Sequence, residues 1–368
     1  MSETIVAYRS FVGVDLHKDT VTLAAVDPRG ESLARLKIHT KSVGKIEAWL
    51  RALPRPSTLA VEAVGFVEWF IDRFRDCVDR IDIADATELA NRRGKRRKND
   101  PNDAVDIARR LARGECPLGY IADEELMQLR KLGRHWRQLG SILARAKHMM
   151  RSILLAANLR GPKLDGASAQ RWLLAHGHRL KPVQRQAFRN FLDVIQLVEI
   201  HRAPLRHVIL KATRRERFAP LAELLQTVPG IGPIWACIII AEIGPFDRFP
   251  NADALEFWAG LTADMKESAG RTQSGHITKA GSRTLRWALC QAAVTSCHCD
   301  ARQEAIRQRL IRRNGGVKAK ANVAVGRRLL AILYAMVRDN KPYQSGPRRN
   351  RTSAANKARA RKRRKEAA

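Results

Sequence analysis

An aspartate closes a short apolar run near the start of the chain, Phe11-Val12-Gly13-Val14-Asp15. A run of this length is suited to a buried strand, and a carboxylate inside one is costly unless something pairs with it. The same conflict recurs in Leu59-Ala60-Val61-Glu62-Ala63. Whatever this part of the chain folds into must bring both acids to a place where their charge is compensated.

The flanking pattern narrows the choice. Residues 21–26 read as a second strand, Asp27-Pro28-Arg29-Gly30 as a turn, and residues 33–39 as a third, alternating strand. Together these make an antiparallel hairpin or meander. Ser42 is placed to cap a helix that runs to about Leu53. A strand over 58–63, a helix over 69–75, a short strand over 81–84 and a helix from Thr87 onward complete the series. Strand-strand-strand-helix-strand-helix-strand-helix is the order of an α/β RNase H-like domain, expected over residues 1–122.

Two further acids, Asp100 and Asp103, lie in Asn99-Asp100-Pro101-Asn102-Asp103-Ala104 at a helix start. Positions three apart share a helix face, and a helix N-terminus tolerates negative charge. Asp15, Glu62, Asp100 and Asp103 together have the makings of a site for two Mg2+ ions, about 3.5–4 Å apart, acting on a phosphodiester. Hard cations prefer oxygen ligands, which accounts for carboxylates rather than His or Cys. Asp100 as a plain helix cap and Glu62 as an ion-pair partner remain open alternatives. The run Arg92-Arg93-Gly94-Lys95-Arg96-Arg97-Lys98 stands just before Asp100. Arg96, Arg97 and Lys98 would deliver a nucleic-acid backbone to the acids, or belong to a solvated loop.

Charge favours the first of these. Lys and Arg total 68 against 36 Asp and Glu, a formal charge of +32. That excess opposes compaction unless a polyanion relieves it, and nucleic acid is the usual polyanion. The six cysteines include no CxxC pair, so a reducing compartment fits best. Cys297-His298-Cys299 has no second half-site for zinc. The N-terminus lacks the pattern of a signal peptide. The longest apolar run, 234–241, is far short of a membrane span.

The middle of the chain, 123–218, reads as a long helical or coiled-coil segment. Between Glu124 and Leu159 there is no proline, and Leu129, Leu132, Trp136, Leu139, Leu143 and Met150 recur at helical spacing. Gly161-Pro162 breaks this stretch. A second one runs from about Val183 to Arg215, with Pro204 expected to kink or divide it. The two stretches can pair as an antiparallel hairpin or between subunits.

Residues 219–342 read as an all-α domain with glycine-rich breaks, and 343–368 as a disordered basic tail. Thr227-Val228-Pro229-Gly230-Ile231-Gly232-Pro233 has the form of a helix-hairpin-helix-like element. There Gly230 and Gly232 let backbone N–H groups approach a phosphate; a tight helix–helix turn is the alternative. The stretch 266–286 is small, polar and basic. It offers two loop hydroxyls, Ser268 and Ser274, near Lys266, Arg271, Lys279 and Arg286. Nearby cations both activate a serine and neutralise the phosphate it attacks. An ordinary phosphate-binding loop would use the same residues.

Four segments then match a known family in order. They are Val12-Gly13-Val14-Asp15, Val61-Glu62-Ala63-Val64-Gly65 and Asp100-Pro101-Asn102-Asp103-Ala104. The last runs from Pro229-Gly230-Ile231-Gly232 through Gly260-Leu261 and Ile277-Thr278-Lys279-Ala280-Gly281 to Leu285-Arg286. The set, spanning roughly 10–340, resembles the DEDD transposases of insertion-sequence family 110. The resemblance implies a RuvC-like N-terminal domain, a coiled-coil middle and a helical transposase domain. It implies that Asp15, Glu62, Asp100 and Asp103 bind Mg2+, with Mn2+ as an acceptable substitute. It further implies a serine that forms a phosphoserine link to cleaved DNA. Donor and target DNA, a structured noncoding guide RNA and a homo-oligomer, dimer or tetramer, follow as partners. The nucleoid of a bacterial cytoplasm follows as the location.

The family pattern puts a Ser-Gly pair nine residues before the Ile of Ile-Thr-Lys, which here is Ser268, with Ser274 the fallback. The chain departs from the pattern at Ala269, where glycine is usual, and in Gly260-Leu261-Thr262-Ala263, which lacks a closing proline. Two rival readings use the same residues. One is a Holliday-junction-type metal-dependent nuclease without serine chemistry; the other is a non-catalytic RNA- or DNA-binding protein.

Overall fold

The structure, a computed structural model, describes residues 7–62, 65–85, 89, 100–268 and 271–344, with side chains at 100–102 and 264–276 left outside that description. The chain divides into two compact units, Met1–Ala122 and Asp123–Ala368.

In the first unit the apolar runs become strands β1 (Ser10–Leu16), β2 (Thr20–Val26) and β3 (Ser32–His39), followed by α1 (Val43–Arg51). Strand β4 (Ser57–Glu62), α2 (Val67–Phe74), β5 (Arg80–Ala84), α3 (Asp100–Ala112) and the two-residue β6 (Leu118–Gly119) complete it. The sheet order is β3-β2-β1-β4-β5-β6. β1, β2 and β3 pair antiparallel, while β1, β4 and β5 run parallel. Crossovers through helices account for the parallel part. Of the helix expected from Thr87 onward, only Leu89 is among the described residues.

Strand alternation gives the sheet two unlike faces. Val12, Val14, Leu59 and Val61 point into the main core, against Ile46 and Leu50 of α1 and Phe70 and Phe74 of α2. On the other face lie small residues: Gly13, with Ala24 and Ala60 in register on either side, then Ala84. Ala104 and Ile107 of α3 pack here.

The second unit is built on an antiparallel pair of long helices, α4 (Glu124–Ala156) and α6 (Pro182–Thr213), with α5 (Gly166–His176) beside them. Met150 and Leu154 meet Phe188 and Leu192 in a common core. At the other end Arg217 grips Asp123, the cap of α4, and Arg215 donates to Glu125 at 2.7 Å. Helix α6 runs through Pro204 undivided.

Helices α7 (Ala219–Gln226), α8 (Pro233–Ile243) and α9 (Ala252–Trp258) follow, then strands β7 (Ala263–Ser268) and β8 (Arg271–Ile277). Helices α10 (Arg283–Cys299), α11 (Ala301–Arg313) and α12 (Lys318–Asp339) complete the unit. The β7–β8 hairpin corrects the expectation of an all-α region. Its strands are mostly polar, with apolar residues only at Ala263, Met265 and Ile277, so they show little of the apolar alternation by which strands are recognised.

Helix α8 is apolar all round apart from Glu242 and is buried from Ala236 to Ile243 at the unit's centre. Glu242 within it is 3% exposed and accepts from Arg134 Nε and Nη2 at 2.8 and 3.0 Å. No helix of the described residues is long and apolar enough to cross a membrane. The last described segment is fastened by Tyr343. Its hydroxyl donates to Asp300 Oδ2 at 2.7 Å, and its N–H to Thr227 Oγ1 at 2.9 Å.

Candidate active site

Asp15 is the sixth residue of β1 and only 5% exposed. Glu62 ends β4, one step beyond the parallel Val14–Val61 pair, and is half-buried. The two acids therefore stand on adjacent strands, about 4.8 Å apart between backbones. They share a face with Gly13 and Ala60, the face that α3 covers. Helix α3 runs antiparallel to β1: Arg109 near its end donates to Gly30 O at 3.2 Å, in the turn at the far end of β1 and β2. Its N-terminus therefore points toward Asp15 and Glu62. Asp103 sits in that first turn, half-buried. Asp100 begins the helix, and its side chain lies outside the described residues.

His17 was not singled out from the sequence, yet its Nε2 lies 3.2 Å from Asp15 Oδ2. Among the described residues no three His, Cys, Asp or Glu side chains form a group that could hold a metal ion. The donors at this end of the sheet are nonetheless carboxylates, the ligand type that hard divalent cations take. Arg96, Arg97 and Lys98 lie outside the described residues, as does the chain from Ser345 onward.

In the second unit, Ser268 is the last residue of β7 and pairs in register with Arg271, the first of β8. Ser274 pairs with Met265 on the same ribbon. Both serines, read from the sequence as loop residues, are thus strand residues; their side chains and that of Arg271 lie outside the described residues.

The root of this ribbon is closely built. A Cβ on Gly281 would sit 2.0 Å from Trp258 O, and one on Gly260 2.6 Å from Ala280 N. Lys279 is exposed, with a left-handed φ of 57°. Arg286 turns inward instead, and its Nη1 donates to Gly281 O at 2.6 Å and Ala259 O at 3.1 Å.

The two loop glycines do different things. Gly230 has φ 102°, and a Cβ there would meet Ala292 O at 2.6 Å and Ser296 N at 2.8 Å, so it packs directly on α10. Gly232, the cap residue of α8, has nothing within 4 Å of its missing Cβ. Gly230→Ala should therefore lower stability by about 2–3 kcal/mol. Gly232→Ala should stay within about 0.5 kcal/mol of wild type. Urea midpoints of the two variants check this contrast.

Two family models match the chain. One, described as "Transposase" and drawn from the DEDD transposases of IS110, matches residues 12–158. The other, described as "Transposase IS116/IS110/IS902 family", matches residues 222–308. The chain belongs to the IS110 family of transposases.

It is similar over nearly its whole length to a probable family 20 transposase of Pseudomonas aeruginosa, at 25% identity over 346 residues, 92% of this chain and 99% of that protein. A pilin gene-inverting protein of Moraxella bovis is 23% identical over 348 residues, 91% of this chain and 98% of that protein. The insertion element IS110 43.6 kDa protein of Streptomyces coelicolor is 29% identical over 126 residues, 34% of this chain and 31% of that protein.

This IS110-family transposase is thus an enzyme of DNA recombination, and its DEDD domain points to dependence on a divalent metal. Sequence reasoning missed Gly13, His17 and the inward turn of Arg286. Gly13 was legible in principle, since glycine interrupts an otherwise branched apolar strand. The other two were not, because their partners depend on the folded backbone.

Proposed function

We propose that this transposase cuts and rejoins DNA through a divalent-metal site made by Asp15, Glu62, Asp100 and Asp103, together with a covalent link to Ser268. The observation that carries this reading is the meeting of β1, β4 and the N-terminus of α3 at one end and one face of the sheet. The strand order supports an RNase H-like, RuvC-like domain. The α7-loop-α8 segment supports a helix-hairpin-helix-like element, and the boundaries 1–122, 123–218, 219–342 and 343–368 follow from the same reading.

Two Mg2+ ions, or Mn2+ in their place, suit this all-carboxylate donor set. When bound, such ions reduce the charge on a scissile phosphate and favour attack at phosphorus. The four carboxylates hold them, and Lys and Arg side chains such as Lys279 hold the DNA backbone. The Ser268 hydroxyl attacks phosphorus: the Oγ–P bond forms, the P–O bond to the departing strand breaks, and the serine proton passes to the departing oxygen. A free hydroxyl of the second DNA partner then displaces Ser268 and restores the phosphodiester. Base pairing with a structured noncoding RNA supplies target choice, and the enzyme works as a dimer or tetramer.

Recombination between donor and target plasmids tests this. Ser268→Ala is expected to reduce strand exchange by about a hundredfold or more, whereas Ser274→Ala retains it. A Ser268→Ala protein that exchanges strands at the wild-type rate would rule out the phosphoserine. One that only cuts would move the enzyme to the nuclease reading.

A further inference from the structure

The first turns of α8 and α10 bring two tryptophans together. Trp235 and Trp287, both half-buried, pack edge to face with centroids 4.9 Å apart and planes at 74°. The Arg137 guanidinium of α4 lies 5.8 Å from the centre of the Trp287 ring. Arg283 opens α10 and is exposed.

Arg137 lies over Trp287, which follows Arg286 directly and stands four residues after Arg283 on α10, so the three guanidiniums share this corner. Burial first, then the Arg283 charge, push Arg137 below its usual range. Burial lowers Arg286 as well; Cys290 works against it, and Arg283 and Arg137 add to it. Glu242 pulls Arg137 the other way, but its carboxylate already accepts both nitrogens of Arg134.

A positive corner of this kind is stabilised by an anion from outside. The planar fork of arginine matches two phosphate oxygens at once. Arginines set beside aromatic rings are also the surface type that holds a nucleic-acid strand.

We propose that Arg137 and Arg283, at the rim of the Trp235–Trp287 pair, clamp a backbone phosphate of the nucleic acid on which the transposase acts. The clamp rests on the reading above that this chain handles nucleic-acid strands, but it needs neither the four acids nor Ser268. Arg286, tied to the Ala259 and Gly281 carbonyls, fixes the corner from which Arg283 projects.

The test is binding of the full-length protein to labelled single- and double-stranded DNA across a salt series. For Arg137→Gln/Arg283→Gln, the slope of log affinity on log salt should fall by about 1–2, and affinity at moderate salt by roughly tenfold or more. Arg171→Gln/Arg179→Gln removes the same charge at exposed positions elsewhere in the unit and should keep most of the slope. Arg283→Gln alone, at a position too exposed to disturb folding, should show about half of the double variant's change. Equal slope loss in both double variants would overturn the clamp, as would an unchanged slope in Arg283→Gln. Wild-type protein that binds neither form of DNA would sink the nucleic-acid reading and the clamp together.

Discussion

Asp15→Asn is expected to lower recombination between donor and target plasmids by roughly a thousandfold, while the N-terminal unit stays folded. The change keeps the shape of the side chain and removes its charge. Asp15 is 5% exposed, one residue before the end of a strand that is otherwise apolar apart from Ser10. A carboxylate is an expensive choice there, and a neutral amide of the same size would serve packing equally well. The charge therefore has work to do at this end of the sheet. A ligand that binds only the folded state raises its stability. Mg2+ should accordingly raise the melting temperature of the wild-type protein and leave that of Asp15→Asn unchanged. Equal responses to Mg2+ would remove Asp15 from the metal site, and recombination near the wild-type level would remove it from catalysis.

Gly13→Ala should be the most damaging single methyl group in the first unit. Its Cβ would stand 2.0 Å from Ala104 O, 2.6 Å from Ala108 N and 3.0 Å from Ile107 Cβ. The first two are backbone atoms, so no rotamer relieves the clash, and α3 must lift off the sheet. Overpacking of this kind costs about 3 kcal/mol or more in a close-packed interior. The helix that moves carries Asp103, the neighbour of Ala104. A displacement of about 1 Å at a reacting centre is enough to lose about a hundredfold in rate. Urea denaturation should show the lower midpoint. Recombination should fall below the level set by the folded fraction alone. A wild-type midpoint for Gly13→Ala would mean that α3 does not sit on β1 as described.

The sheet was legible in the sequence because its strands are apolar and its acids interrupt them. Asp15 and Glu62 drew notice for breaking a pattern, and Asp100 and Asp103 for their spacing at a helix start. The long helices were legible too, since Leu129, Trp136 and Met150 recur on one side of a stretch without proline. The β7–β8 ribbon was hidden: Lys266-Glu267-Ser268 and Arg271-Thr272-Gln273-Ser274 hold no apolar residue. Helix α5 was hidden by its shortness and its small residues, Gly166-Ala167-Ser168-Ala169. Gly230 shows a subtler limit. A glycine that lets a phosphate approach and one that lets a helix approach look alike in sequence, and only the α10 backbone beside it tells them apart.

The fastening at Tyr343 has a consequence of scale. Residues 345–368 are rich in arginine and lysine, and however they are arranged, they start from a point moored beside Thr227, where the glycine loop opens. No residue of that length of chain can stand further than about 85 Å from its mooring. Within that reach its positive charge has a local concentration on the order of millimolar. Being tethered, that charge keeps the same local concentration however dilute the enzyme.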